Sequence, residues 1–134
     1  MFTVSAAIWP QTAETEPFSF VGITISELIE RFGPPKSVYA ARGDEVWQDD
    51  VVFVYDAGDF YIFGSRVWQV GIKSAFGIKT GDVKAVALLV LGDEARDEGD
   101  YILYSLHGFG WPLMLRASFN DGKISAIFVF RPDY

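Results

Sequence analysis

The chain contains no cysteine, which excludes disulfides, thiolate zinc sites and cysteine nucleophiles while leaving the redox compartment open. Its single histidine, His107, sits in Leu106-His-Gly-Phe-Gly110, and a triad or metal site built on it would need placed partners that no neighbouring motif supplies. Clusters of one sign of positive charge are also missing. The 11 lysines and arginines are scattered among 18 acidic residues, for a net charge of −7. Phosphate-rich partners draw their affinity from clustered cations, so this pattern speaks against nucleic acid and anionic membrane surfaces. Long hydrophobic runs are absent too. The longest, Ala85 to Leu91, falls far short of the roughly 20 residues that span a bilayer, so no membrane insertion is expected. The first ten residues have neither a basic n-region nor a long apolar h-region. As written the sequence predicts a cytoplasmic protein, or a periplasmic or envelope one if a leader has been removed.

What is present is enough apolar material for a core. Half of the 134 residues are hydrophobic and 16% are aromatic, which suits one continuous core and a single domain over residues 1–134. Within it the chain says one thing twice. Gly22-Ile-Thr-Ile-Ser-Glu-Leu28, an apolar helix and an aromatic hairpin precede Gly77-Ile-Lys-Thr-Gly-Asp-Val83, a second apolar helix and a second hairpin. The Gly-Ile starts lie 55 residues apart, the glycines after the helices (Gly33, Gly92) 59, and the entries to the last strands (Val67, Ile124) 57. Internal repeats over residues 22–74 and 77–131 are therefore expected, with a one-turn helix extension absorbing the drift.

Phe2 to Ile8 reads as a strand and Pro10 to Pro17 as a polar connector. Thr24 caps the first helix, Glu27 completes a capping box, and Ile25, Leu28, Ile29 and Phe32 form one stripe that Gly33-Pro34-Pro35 ends. Ser37 to Ala41 and Val46 to Trp47 read as short strands around an Arg42-Gly-Asp-Glu45 turn. From Val51 to Ser74 the period is two, giving a meander. Thr80 is expected to cap the second helix, which is apolar almost all round and so expected to be the more deeply buried. After Gly92 the acidic stretch Asp93 to Asp100 should loop out. Three strands should follow over Tyr101–Leu106, Trp111–Phe119 and Ile124–Arg131, the last pair joined at Asn120-Asp-Gly-Lys123. The fold class is thus α+β: two helix-plus-antiparallel-meander units forming one sheet with the helices on one face.

Alternation in these strands separates two kinds of side chain. Val52, Val54, Ile62, Leu113, Leu115, Ala117, Ile127 and Val129 form an aliphatic set suited to helix packing. Phe53, Tyr55, Tyr61, Phe63, Trp68, Tyr104, Phe128 and Phe130 form an aromatic set on the opposite parity. A broad face rich in Tyr and Trp suits protein contact, and Phe53, Tyr55, Tyr61, Trp68 and Tyr104 are the candidate binding residues. The amino-terminal segment or a homodimer partner could instead cover that face, because large aromatics are ordinary core material.

Gly22-Ile-Thr-x-x-Glu-Leu-Ile-Glu-Arg-Phe-Gly33-Pro34-Pro35, followed by Trp47 and an alternating hairpin, resembles the SmpA/OmlA (BamE-like) family. Phe119-Asn-Asp-Gly-Lys-Ile124-x-x-Ile127 resembles the end of that pattern. A tandem pair of such units is also the architecture of the β-lactamase inhibitor protein family, so the likeness covers Gly22 to Arg131. The resemblance implies helices on one face of an antiparallel sheet and a role in binding other proteins without catalysis. The chain departs from both relatives, having neither the lipobox cysteine of the lipoproteins nor the cysteine pairs of the secreted inhibitors.

Catalytic patterns are missing. Ser105 lacks a Gly-x-Ser-x-Gly elbow, and Gly108-Phe-Gly110 lacks the strand-loop-helix setting of a nucleotide loop. Asp93, Glu94, Asp97, Glu98 and Asp100 do not follow the EF-hand spacing and read as a solvated loop. Asp49-Asp50 and Asp56/Asp59 read as turn formers. No cofactor and no metal are expected. The sequence predicts a non-catalytic protein-binding module, with binding of a small apolar ligand in a groove between the two halves as the alternative.

Overall fold

The computed structural model describes residues 17–42 and 50–133. The expected strand Phe2 to Ile8, nearly all of the Pro10 to Pro17 connector, and the Val46 to Trp47 strand lie outside the described residues. The chain starts with a 3-10 turn over Pro17–Phe20, then helix α1 (Ile25–Phe32). Strands β1 (Ser37–Ala41), β2 (Asp50–Tyr55), β3 (Gly58–Phe63) and β4 (Arg66–Ile72) follow. A two-stranded ribbon, β5 (Ser74–Ala75) with β6 (Ile78–Lys79), leads into helix α2 (Lys84–Leu91). Strands β7 (Arg96–Asp97), β8 (Tyr101–Leu106), β9 (Leu113–Asn120) and β10 (Lys123–Phe130) complete the fold. It is α+β, with one eight-stranded antiparallel sheet in the order β1-β2-β3-β4-β10-β9-β8-β7. Each meander thus holds four strands, against the three expected in the second. The extra one in the second is β7, which lies inside the acidic stretch expected to be a loop and pairs Arg96 with Leu103.

Local chemistry explains most boundaries. Thr24 Oγ1 accepts from the Glu27 N–H and Glu27 Oε1 accepts from the Thr24 N–H, the expected capping box. Gly33, at φ +76°, closes α1 by donating its N–H to the Ile29 carbonyl. Three of the two-residue hairpins, Gly64-Ser65, Phe76-Gly77 and Asp121-Gly122, have positive φ at both turn positions, the backbone whose twist matches antiparallel strands. The second helix corrects the sequence reading. Its N-cap is Val83, with no side-chain cap hydrogen bond, because Thr80 is held just beyond the β5–β6 ribbon by its N–H bond to the Lys73 carbonyl.

Both helices are fastened to a hairpin in matching ways. Gly22 donates to the Val67 carbonyl, Val67 donates to Ile23, and Ile25 donates to Ser65; Gly81 donates to Ile124, Ile124 donates to Asp82, and Lys84 donates to Gly122. The bridges Thr24↔Arg66 and Val83↔Lys123 sit in the same places. Leu28 from α1 and Ala87 and Leu91 from α2 join Phe60, Ile62, Val67, Val70, Ile72, Ile102, Leu115, Ile127 and Val129 in one core. Both helices therefore pack on one side of the sheet. The expectation of a deeply buried second helix fails: Val86 and Val90 are exposed, and Leu89 is 83% exposed. A helix of eight residues lying on a sheet, apolar here at every position but Lys84, can bury one stripe only, whatever its remaining faces carry.

Candidate functional site

The register decides which aromatic side chains share a face, since directly opposed residues point the same way. On the side away from the helices, one row runs Tyr39, Val52, Tyr61, Gln69, Phe130, Met114 across six strands. The neighbouring row runs Ser37, Val54, Asp59, Gly71, Phe128, Arg116, Leu103. The β3–β4 register shifts between Tyr61 and Ile62, so that Gln69 opposes Tyr61 while Val67 opposes Ile62. Trp68 is the additional residue at this bulge, and its ring lies 6.4 Å from Phe130 on the same side.

Of the candidate residues, Tyr61 and Trp68 are on this face. Phe53 and Tyr55 are not: they oppose Phe60 and Gly58 on the helix side, and Tyr55 is only 8% exposed. Tyr104 opposes Leu115 and packs against the core. Alternation alone groups these three with the aromatic side, but the pairing offset of each hairpin, which alternation does not contain, turns them to the helix side. For the same reason Val52 and Val54 do not share a face with Ile62. They lie with Tyr61 and Asp59 on the aromatic side, and Val52 is fully buried there. Tyr39, Arg116 and Gln69 belong to the face and were not read from the sequence.

The face is internally braced. Tyr61 and Phe128 meet edge to face at 5.9 Å. The Phe128 ring lies over Gly71, where an added Cβ would stand 3.3 Å from Cε1, so Gly71 is the gap that admits the ring. The Arg116 guanidinium lies over the Phe128 ring, 5.2 Å from its centroid. Trp68 Nε1 donates to Asp50 Oδ1 at 3.3 Å. Burial, followed by a hydrogen bond shared with Tyr39, raises the Tyr61 phenol well above its ordinary pKa, so it stays neutral. Tyr61, Trp68, Phe128 and Phe130 are half-buried, while Phe63 is 49% exposed and Tyr39 is exposed. Arg116 Nε is buried with no hydrogen-bond partner among the described residues, an arrangement costly enough to invite an acceptor.

An open groove of about 800 Å³ lies where the β2–β3 turn meets the start of β10. Lys36, Asp56, Asp59, Lys73, Thr80 and Ser125 line it together with Tyr61 and Phe128. This is not the apolar lining that a small apolar ligand would need. His107 Nε2 lies 3.4 Å from Glu94 Oε1, both exposed, and Lys84 pairs with Asp97 at 2.6 Å. Among the described residues no cluster of acidic or histidine side chains could hold a metal, and no helix is long and apolar enough to cross a membrane.

Comparison with protein-family models, curated proteins and solved structures yields no match.

Proposed function

We propose that this chain is a non-catalytic protein-binding module that uses the sheet face opposite its helices. The observation that carries the reading is the composition and state of that face: Tyr61, Trp68, Phe128 and Phe130 half-buried and braced by Arg116, with Phe63 and Tyr39 exposed at its margin. Tyr, Trp and Arg held in fixed positions are the residues that dominate binding energy at interfaces, because they offer large contact area at small entropic cost. The polar lining of the groove favours this reading over an apolar small ligand.

The test is affinity capture from the native cell with quantitative mass spectrometry, comparing the wild-type chain with Trp68→Ala, Phe63→Ala and a Leu89→Gln control on the other side. A specific partner should be retained by the control, and its affinity should fall by about 2 kcal/mol at the best anchor. Capture that is indifferent to Trp68 and Phe63 would sink the proposal.

We also infer that the halves are copies of one helix-plus-four-strand unit, supported by the matching tethers at Gly22/Gly81 and Val67/Ile124. The equivalence then starts at Gly81, displaced from the Gly77 start the sequence suggested. Residues 22–33 and 81–92 are equal in length, so replacing the second by the first should leave a cooperatively unfolding protein. Loss of cooperative unfolding in that chimaera would count against duplication.

A further inference from the structure

The outer side of α2 plays no part in the sheet-face reading. Val83, Val86, Leu89 and Val90 are all exposed there. Val90 also carries the stripe onto the β5–β6 turn: its Cγ1 lies so near Gly77 that an added Cβ would stand 2.9 Å away, and the next residue, Phe76, is exposed as well. A contiguous apolar stripe of this kind marks an interaction site on a soluble protein.

The charges around the helix identify what fits it. In α1 the ionised residues follow the helix dipole, with Glu27 in the first turn and Arg31 in the last. In α2 the order is reversed: the first turn holds no acid and begins with Lys84, the last turn holds no base, and Asp93 and Glu94 follow immediately after Gly92. Lys123 is bridged to Val83 at the amino end, and Lys79 lies there too, its N–H bound to Asp82 Oδ2. Asp82 thus faces inward to that turn, Lys84 is paired with Asp97, and Glu94 with His107. The side chains of Lys79, Lys123 and Asp93 are exposed and make no ion pair among the described residues. Asp121, exposed in the hairpin turn whose Gly122 carbonyl accepts from the Lys84 N–H, offsets one of the two free lysines, so the amino end of the stripe keeps a net positive charge and the carboxyl end carries Asp93, each against its own helix's dipole.

We propose that α2 is the contact of a two-fold homodimer in which it packs antiparallel against α2 of a second copy. The two-fold axis sets Lys79 and Lys123 of one copy beside Asp93 of the other, twice, and opposes the two helix dipoles, so that every unfavourable end meets its complement. An eight-residue helix is about 12 Å long. The contact, even with Phe76, therefore stays below the roughly 800 Å² per partner of a standard interface, and association belongs in the micromolar range. The aromatic sheet face lies on the other side of the molecule and remains free in such a dimer.

Sedimentation velocity over about 1–300 µM tests this. The wild type should pass from monomer to dimer across that range. Leu89→Glu and the milder Leu89→Gln, both at a solvent-exposed helical position, should raise the dissociation constant by about 10-fold or more while leaving far-UV circular dichroism unchanged. Asp93→Lys alone, or Lys79→Glu with Lys123→Glu, should weaken the dimer by about 5-fold, and the triple variant should restore it. A wild type that stays monomeric throughout, or a dimer that survives Leu89→Glu, overturns the proposal. Charge variants that dimerise equally, or a triple variant that is not restored, overturn the antiparallel arrangement.

Discussion

The Tyr55 hydroxyl donates a 2.8 Å hydrogen bond to the carbonyl oxygen of Gly33, so the end of β2 holds the residue that closes α1. Helix termini leave carbonyls without intrahelical partners, and here a side chain 22 residues away supplies one. Tyr55→Phe should therefore lower unfolding free energy by about 1 kcal/mol, as expected for a neutral hydrogen bond. Urea denaturation at neutral pH measures it, and an unchanged midpoint would mean that water replaces the hydroxyl without loss.

The two helices should respond differently to truncation. Leu28 is fully buried, and Leu28→Ala should cost about 2–4 kcal/mol through lost burial and the cavity left behind. Val86, in the helix expected to be the more deeply buried, is 43% exposed, so Val86→Ala should cost less than about 1 kcal/mol. Thermal or chemical denaturation of the pair distinguishes them, and equal losses would contradict the packing described.

The absent cap of α2 can be supplied. Val83 has the extended backbone of an N-cap, φ −76° and ψ 155°, but no side-chain acceptor. Val83→Thr should stabilise the fold by about 1 kcal/mol. The measurement belongs at low protein concentration, where self-association through the same helix does not contribute. A decrease in melting temperature would show that Val83 is worth more as an apolar contact than as a cap.

Alkaline pH should weaken the fold. Burial raises the Tyr55 phenol, and burial with the Tyr39 hydrogen bond raises that of Tyr61 still further. Below the unfolded tyrosine value of about 10 both states keep these protons, and stability does not depend on them. Above it the unfolded chain releases protons that the folded chain retains, so stability falls as pH rises toward the folded values. Denaturation midpoints between about pH 9 and 12 should decline, and Tyr61→Phe should flatten the decline. An identical slope in that variant would assign the effect elsewhere.

Much of this could be read from the sequence because it is locally encoded. Thr24 with Glu27, Gly33 before two prolines, and Asp121-Gly122 each specify their geometry within a few residues, and all three features are present as expected. The misplacement of Phe53, Tyr55 and Tyr104 has a non-local cause. Alternation reports that neighbours point apart, but which side is the core depends on hairpin offsets and on bulges such as those at Tyr61/Ile62 and Ile124/Ala126. The exposure of Leu89 was equally invisible, since a string of apolar residues carries no record of which ones find partners.

The pairing of β4 with β10 at the centre of the sheet joins residues such as Val70 and Val129, whereas every other pairing in the sheet links strands adjacent in sequence. Joining distant segments carries a larger loop-closure entropy than closing a hairpin. The two meanders are thus expected to organise first and the seam between them last. In stopped-flow kinetics, Val129→Ala should then act chiefly by speeding unfolding, with folding slowed little; a large drop in the folding rate would place the seam in the nucleus instead. The middle of the sheet, where Val67, Val70 and Val129 are fully buried, would be the last part to form.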